Sequence, residues 1–246
     1  MTRELWTVNL GLVEYREAHD LQERLRAARQ AGAIPDTLLL LEHPPVYTRG
    51  RRSEPGELGM GEHWYRAQGI DIVDVDRGGK VTYHGPGQLV GYPIVAIGDV
   101  MEHVAVLERA IVAALDGEGI VARGRSAEGI AWTGVWTADR KIASIGLHVS
   151  QGVTKHGFAV NVDNSLEPFD WIVPCGLPEV RMTSVAAEAA DPGPHLPCFR
   201  KRVAWRFAQA HGSRQRLMSR ARLEAALDGV PAAALTVSRS AAPVGA

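Results

Sequence analysis

Residues 77–92, RGGKVTYHGPGQLVGY, hold five glycines and one proline in sixteen positions. That density rules out a helix, since glycine is entropically costly there and proline lacks the N–H that a helix interior needs. The rest of the segment is rich in groups that bind or react: Arg77, Lys80, Thr82, Tyr83, His84 and Gln88. Residues 72–75 before it and 88–94 after it have the apolar, β-branched character of strands. A glycine-rich loop between strands, lining a cleft, is the expected arrangement.

Around this loop the chain alternates helix and strand signals. Ala18, Leu21, Leu25 and Ala28 recur at helical spacing, as do Val104, Leu107, Ile111 and Leu115. Residues 38–41 form a short continuous apolar run closed by His43, Pro44 and Pro45, which suits a buried strand. Three β-like stretches at 132–136, 141–149 and 158–162 read as an antiparallel meander, with Asp139 and Arg140 at the first turn and Gly152 in the second. Ser184 precedes a helix-prone run at 185–190, and 201–209 is again helical. The order predicts one α/β domain, a mixed sheet with flanking helices, over residues 1–227, followed by a disordered Ala-, Pro- and Ser-rich tail at 228–246.

Composition narrows the function. The chain of 246 residues carries 27 Lys plus Arg against 28 Asp plus Glu, a net charge of −1, so no global field favours nucleic acid. No apolar stretch is long enough to cross a bilayer, and residues 1–10 lack the apolar core of a signal peptide. A cytoplasmic location and no membrane partner are expected. Two cysteines, Cys175 and Cys198, are too few for a disulfide scaffold or a zinc cage. His43, His148 and His156 come without HExxH, paired cysteines or a carboxylate cluster, so no metal is expected.

Of the two thiols, Cys175 stands in Val173-Pro174-Cys175-Gly176-Leu177-Pro178, where prolines hold the backbone out of regular structure and Gly176 removes bulk beside the sulfur. Cys198 reads as an ordinary buried cysteine. The run 48–52, with three arginines, is a solvated loop that would steer acidic partners if it lies near the cleft.

The glycine-rich segment resembles the signature of the lipoyl(octanoyl) transferases, with Arg77, Gly78, Gly79, Thr82, Tyr83, His84, Gln88 and Tyr92 in register. The likeness extends from residue 41 through Ser184. It implies the fold of biotin and lipoate protein ligase catalytic domains, with a small C-terminal part against the main sheet. It also implies roles. Cys175, in its Pro-Cys-Gly-Leu setting, matches the acyl-accepting cysteine, and Lys141, in Lys-Ile-Ala-Ser-Ile-Gly, matches the catalytic lysine. Arg77, Gly78, Gly79, Lys80, Val81, Thr82, Tyr83 and His84 match the substrate-binding loop, and Ser144, Ile145, Gly146, Gly157, Phe158 and Ala159 the acyl pocket.

The implied reaction moves an octanoyl group from acyl carrier protein, through a Cys175 thioester, to a lysine of a lipoyl domain in a 2-oxoacid dehydrogenase complex or of the glycine cleavage H protein. No cofactor is implied. Within that picture the amides of Gly78 and Gly79 would hold the acyl oxygen, His84 would donate to it or to the carrier's pantetheine arm, and Gly146 and Gly157 would leave room for the chain. The alternatives are an ATP-dependent lipoate or biotin ligase on the same fold, a lipoyl amidotransferase, and a non-catalytic module that binds carrier protein.

Overall fold

The computed structural model describes residues 3–173, 180–191 and 193–230. It begins with strand β1 (Arg3–Leu12), helix α1 (Tyr15–Gln30), β2 (Asp36–Glu42) and β3 (Val46–Arg49). Then come α2 (Glu62–Ala67), β4 (Asp71–Asp74), β5 (Thr82–His84), β6 (Gln88–Ile94) and α3 (Val100–Asp116). The middle of the chain forms β7 (Arg123–Gly124), β8 (Gly134–Thr137), β9 (Arg140–Ser150) and β10 (Val153–Asn161). The last third gives α4 (Glu167–Asp170), β11 (Arg181–Met182), α5 (Val185–Glu188), α6 (Leu196–Ala210), β12 (Ser213–Met218) and α7 (Arg220–Asp228).

Among the described residues the main sheet has nine strands, in the order β12-β1-β2-β6-β10-β9-β8-β7, with β11 against β9. Its β12-β1-β2 edge is parallel and the path from β2 to β7 antiparallel, as a mixed sheet requires. The apolar run of β2 shows why both faces are covered. Leu38 and Leu40 join the core beneath α3 and α6, while Leu39 and Leu41 join the core beneath α1. A strand buried on both faces has no polar alternation, which is what residues 38–41 show.

Helix ends follow the sequence. The Asp99 carboxylate caps α3 by accepting from the Glu102 N–H at 2.7 Å, and Ser184 caps α5 through the Ala187 N–H at 3.2 Å. The β9–β10 hairpin closes through Gln151 and Gly152, both in the left-handed region at φ +48° and +73°, the geometry a two-residue turn needs. The first meander turn falls at Ala138 and Asp139, and Arg140 already belongs to β9.

A smaller sheet, β4-β3-β5, stands apart over its own core of Tyr47, Tyr65, Ile70, Ile72 and Phe169. The strand expected at 72–75 is β4, shifted by one residue, and β5 lies inside the glycine-rich segment itself. Residues 213–228 fold as β12 and α7, with β12 in the main sheet and Leu223 and Leu227 of α7 buried; residues 231–246 lie outside the described residues.

Candidate active site

The glycine-rich loop is held by backbone contacts on two sides. The Gly78 N–H donates to the Leu147 carbonyl at 2.9 Å, and the Arg52 N–H donates to the Gly79 carbonyl at 3.1 Å. A Cβ on Gly146 would lie 2.8 Å from the Gly78 carbonyl oxygen, and one on Gly50 would lie 2.4 Å from that of Gly79. Arg77 ties the same loop to β3: its guanidinium donates to the Thr48 carbonyl and hydroxyl, each at 2.7 Å. The Gly78 amide is thus already committed to Leu147, which removes it from the expected role of holding an acyl oxygen.

Between this loop, α3 and the β9–β10 hairpin lies a cavity of about 290 Å³. That is near the lower end, roughly 300 Å³, of pockets that hold small molecules. The two segments expected to line an acyl pocket are cross-strand neighbours here. Ser144 pairs with Ala159, Ile145 with Phe158 and Gly146 with Gly157, and all six line the cavity. Val100, Met101, Val104 and Ile130 close the other side with apolar surface.

Lys141 opens onto the same space, buried to 2 % exposure. A bulge explains how. Val135 pairs with Ala143 but Trp136 pairs with Lys141, so Ile142 is an extra residue on β9. Strict alternation would send Lys141 and Ser144 to opposite faces; the bulge brings both to the cavity wall. The Lys141 ammonium stands 5.3 Å from the Trp136 ring, and its carbonyl accepts from the Thr183 N–H at 3.0 Å. Glu108 of α3 organises the neighbouring loop: its carboxylate accepts from the N–H groups of Arg125, Ser126 and Gly134 at 3.0 to 3.2 Å and from the Ser126 hydroxyl at 2.6 Å.

Arg77, Gly78, Gly79, Lys80, Thr82 and His84 line the cavity as expected. Val81 and Tyr83 do not. They alternate with Thr82 and His84 along the strand and pack into the small-sheet core with Tyr47 and Phe169. Lys80 is engaged by Glu54 at 2.9 Å and Glu57 at 3.2 Å. Gly146 and Gly157 do not leave a slot: the Gly78 carbonyl fills the space at Gly146, and the Gly91 carbonyl, 2.2 Å from a Cβ on Gly157, fills the other. Cys175 lies outside the described residues. Cys198, expected in the core, is exposed on α6, one position off the buried Phe199 stripe.

The polar end of the cavity holds residues that sequence reasoning did not single out as site residues: Tyr15, Tyr92 and His156. Tyr92 belongs to the recognised segment, but Tyr15 and His156 reach the site only through tertiary contacts. His43 bridges the Val13 carbonyl and the Tyr92 hydroxyl at 2.7 Å each. His156 has φ +60°, an unusual conformation for a residue with a side chain, and its Nε2 donates to Asp76 at 2.7 Å. Burial pulls the His156 imidazole down to about 4 despite that carboxylate. Burial alone would raise Asp76, but hydrogen bonds from His156 and Lys155 and the Lys155 charge hold it well below the usual carboxylate range.

His19, Asp76 and His156 present ligand atoms within 4.8 Å of one another, the one such grouping among the described residues. The ammonium of Lys155, itself 1 % exposed, sits among them, 2.9 Å from Asp76 and 3.2 Å from His19, and also pairs with Glu23. A built-in cation therefore occupies the place a metal ion would take. His43 is elsewhere, and His148 joins this cluster at Asp76.

Residues 14–208 match the family described as the lipoyl protein ligase A/B catalytic domain. The chain belongs to that family. It is 46% identical over 182 residues to an octanoyltransferase of Rubrobacter xylanophilus, covering 72% of this chain and 80% of the relative. It is 47% identical over 199 residues to one from a Mycobacterium species, covering 76% and 77%, and 44% identical over 177 residues to one from Dictyoglomus thermophilum, covering 72% and 75%. The chain is an acyltransferase that moves octanoyl groups in protein lipoylation.

Solved structures agree on the fold. A bipartite lipoate protein ligase from Thermoplasma acidophilum superposes with a TM-score of 0.68 at 16% identity, over 93% of this chain and 91% of that one. Lipoate-protein ligase A bound with ATP superposes at 0.67 and 14% identity, over 93% of both. Among the described residues no helix is long and apolar enough to cross a membrane.

Proposed function

We propose that the chain takes an octanoyl group from the thioester of acyl carrier protein onto Cys175 and passes it to a lysine of a lipoyl domain, with Lys141 moving the protons. The observation that carries this reading is the Lys141 ammonium, buried on the wall of an apolar cavity and backed by the strand that follows Cys175. Met182, the β11 partner of Lys141, is seven residues along the chain from Cys175. An ammonium beside a thiol favours the thiolate.

In the first step the Cys175 sulfur attacks the acyl carbon, a new C–S bond forms, and the carrier's sulfur leaves with the proton that Lys141 supplies. In the second step the acceptor lysine loses a proton to Lys141, its nitrogen attacks the same carbon, and Cys175 leaves as thiolate. The Lys141 ammonium regenerated there restores the starting pair. One further proton is released to solvent for each amide made from an ammonium substrate. The chain's apolar wall, from Ile145 and Phe158 across to Val104, holds the hydrocarbon.

The test is the mass of the intact protein after mixing with octanoyl carrier protein alone. One hydroxylamine-sensitive octanoyl group at Cys175, lost in Cys175→Ala and retained in Cys198→Ala, is the expected result. Lys141→Ala should slow both steps by roughly 10²-fold or more, and Lys141→Arg should not restore them, since guanidinium stays protonated. A Cys175→Ala protein that transfers at the normal rate overturns the reading, as does octanoyl transfer that depends on ATP–pyrophosphate exchange.

A further inference from the structure

The protonation pattern of His84 is fixed by amides whose orientation backbone carbonyls determine. Asn161 Nδ2 donates to the Thr183 carbonyl at 3.0 Å, so its other atom, Oδ1, is the one that meets Gln88 Nε2 at 2.9 Å. Gln88 Nε2 is identified a second time by its 3.0 Å bond to the Tyr83 carbonyl. A carbonyl oxygen only accepts. What Gln88 has left for His84 is Oε1, and the 2.7 Å contact between them requires the imidazole proton to be on Nδ1.

Gln88 and Asn161 are 1 % and 2 % exposed, which shields this relay from exchange of partners with water. Burial, with His43 beside it, holds the His84 imidazole well below its usual range, against the pull of Gln88, so the ring is neutral. A neutral ring with its proton on Nδ1 carries a bare lone pair on Nε2. His84 lines the cavity, and Nε2 is the ring nitrogen not bonded to Gln88. That reverses the expectation that His84 donates to the acyl oxygen, because a lone pair there would repel a developing oxyanion.

We propose that His84 Nε2 accepts an N–H from the attacking lysine amine of the acceptor protein and aligns its nitrogen with the acyl carbon, with Gln88 and Asn161 as positioning residues that fix the tautomer. The proposal rests on octanoyl transfer from a cysteine thioester to a lysine. The amine is the N–H donor that must reach the reacting carbon; the preceding step brings a sulfur and a carbonyl. The amine enters as an ammonium and gives one proton to Lys141. It keeps two N–H bonds, directs one at His84 as its nitrogen bonds to carbon, and releases the second proton to solvent when the C–S bond breaks. His84 takes no proton. An amide N–H of the carrier's pantetheine arm offers the same chemistry from the other substrate, and the two half-reactions separate them.

The experiment has two arms on the full chain. Nitrogen-15 NMR of histidine-labelled protein, with His84→Ala to assign the signal, should show Nδ1 protonated and Nε2 bare between about pH 6 and 8. An Nε2-protonated ring overturns the proposal whatever the reaction is. In single turnovers, His84→Ala should form the acyl-enzyme within about twofold of the wild-type rate, while its discharge to a lipoyl domain slows about tenfold, the worth of one hydrogen bond. Gln88→Met should show the same split together with a mixed tautomer. Equal slowing of both steps assigns the contact to the pantetheine arm and overturns the proposal, as does unchanged discharge. Failure of the wild type to form any acyl-enzyme removes the cysteine-thioester reading beneath it, a distinct result.

Discussion

A methyl group on Gly134 would stand 2.9 Å from Cε of Lys141 and 2.4 Å from the carbonyl oxygen of Ala143, so the bare backbone of the one residue leaves the channel for the stem of the other. Gly134 also has φ +132°, a region closed to residues with a side chain. Gly134→Ala should therefore cost about 2 kcal/mol or more and lower the unfolding temperature by several degrees, with a loss of transfer beyond what stability explains. Gly11→Ala is the control, since Gly11 has φ +70° but no neighbour within 4 Å of its added carbon. It should cost about 1 kcal/mol and leave transfer at the wild-type rate. Thermal unfolding and single-turnover rates of the two variants decide it.

Gly146→Val should not act as a ruler for acyl length. The space beside Gly146 holds the Gly78 carbonyl, so a larger residue pushes the glycine-rich loop away and disturbs every donor alike. Hexanoyl and octanoyl transfer should fall by similar factors. A selective loss of octanoyl transfer would place the chain's far end at Gly146 after all.

Glu108→Gln should loosen the loop between β7 and β8 without unfolding the protein. One carboxylate oxygen of Glu108 receives three backbone N–H groups, and a glutamine oxygen can replace it only as a neutral acceptor. Charge-assisted bonds exceed neutral ones by about 1 kcal/mol each, so a loss of about 1 to 3 kcal/mol is expected. Hydrogen exchange at Arg125, Ser126 and Gly134 should accelerate first. Unchanged protection at those amides would contradict the assignment.

Arg49 and Arg52 should separate stability from steering. Arg49 makes two bonds to Asp74, at 2.6 and 2.9 Å, and one to Glu62 at 2.5 Å, so its charge is spent inside the protein. Arg52 is exposed at the cavity mouth. Arg52→Ala should raise KM for an acidic protein substrate and flatten its salt dependence, whereas Arg49→Ala should lower stability and leave the salt slope alone. Steady-state rates across a salt series check both.

Acid should weaken the fold earlier than carboxylate titration alone predicts. Burial pulls the imidazoles of His43, His103 and His156 down to about 4 in the folded protein. The unfolded chain takes up protons at these residues from about pH 6.5 downward, so stability is intact above that value and falls as pH drops toward about 4. Asp76, held below its usual range, adds its own loss only under about pH 4, where the unfolded carboxylate protonates first. Urea midpoints should drop between about pH 7 and 5. A flat midpoint over that interval would rule out the histidine contribution.

What the sequence made legible is what local pattern controls. The run 38–41 is apolar without alternation because β2 is covered on both faces, and the hairpin of β9 and β10 carries its turn in Gln151 and Gly152. β12 escaped notice for the opposite reason. β12 is a polar strand, Ser-Arg-Gln-Arg-Leu-Met, with Arg214, Arg216 and Leu217 exposed, and nothing local distinguishes it from a loop. At the site, period-two alternation would have sorted Thr82 and His84 from Val81 and Tyr83. The purpose of Gly146 could not be read in this way, because the carbonyl that needs its space belongs to Gly78, brought there by the fold.

The parallel pairing of β1 with β12, Arg3 beside Ser213 through Val8 beside Met218, sets an order of assembly during synthesis. The β9–β10 wall joins neighbours in sequence and can close as soon as residue 161 has left the ribosome. Strand β1 must wait, one edge unpaired, until β12 is delivered. Ribosome stalling just before residue 213 should therefore leave a chain whose acyl-binding wall is formed while its opposite edge remains open to chaperones or to a neighbouring nascent chain.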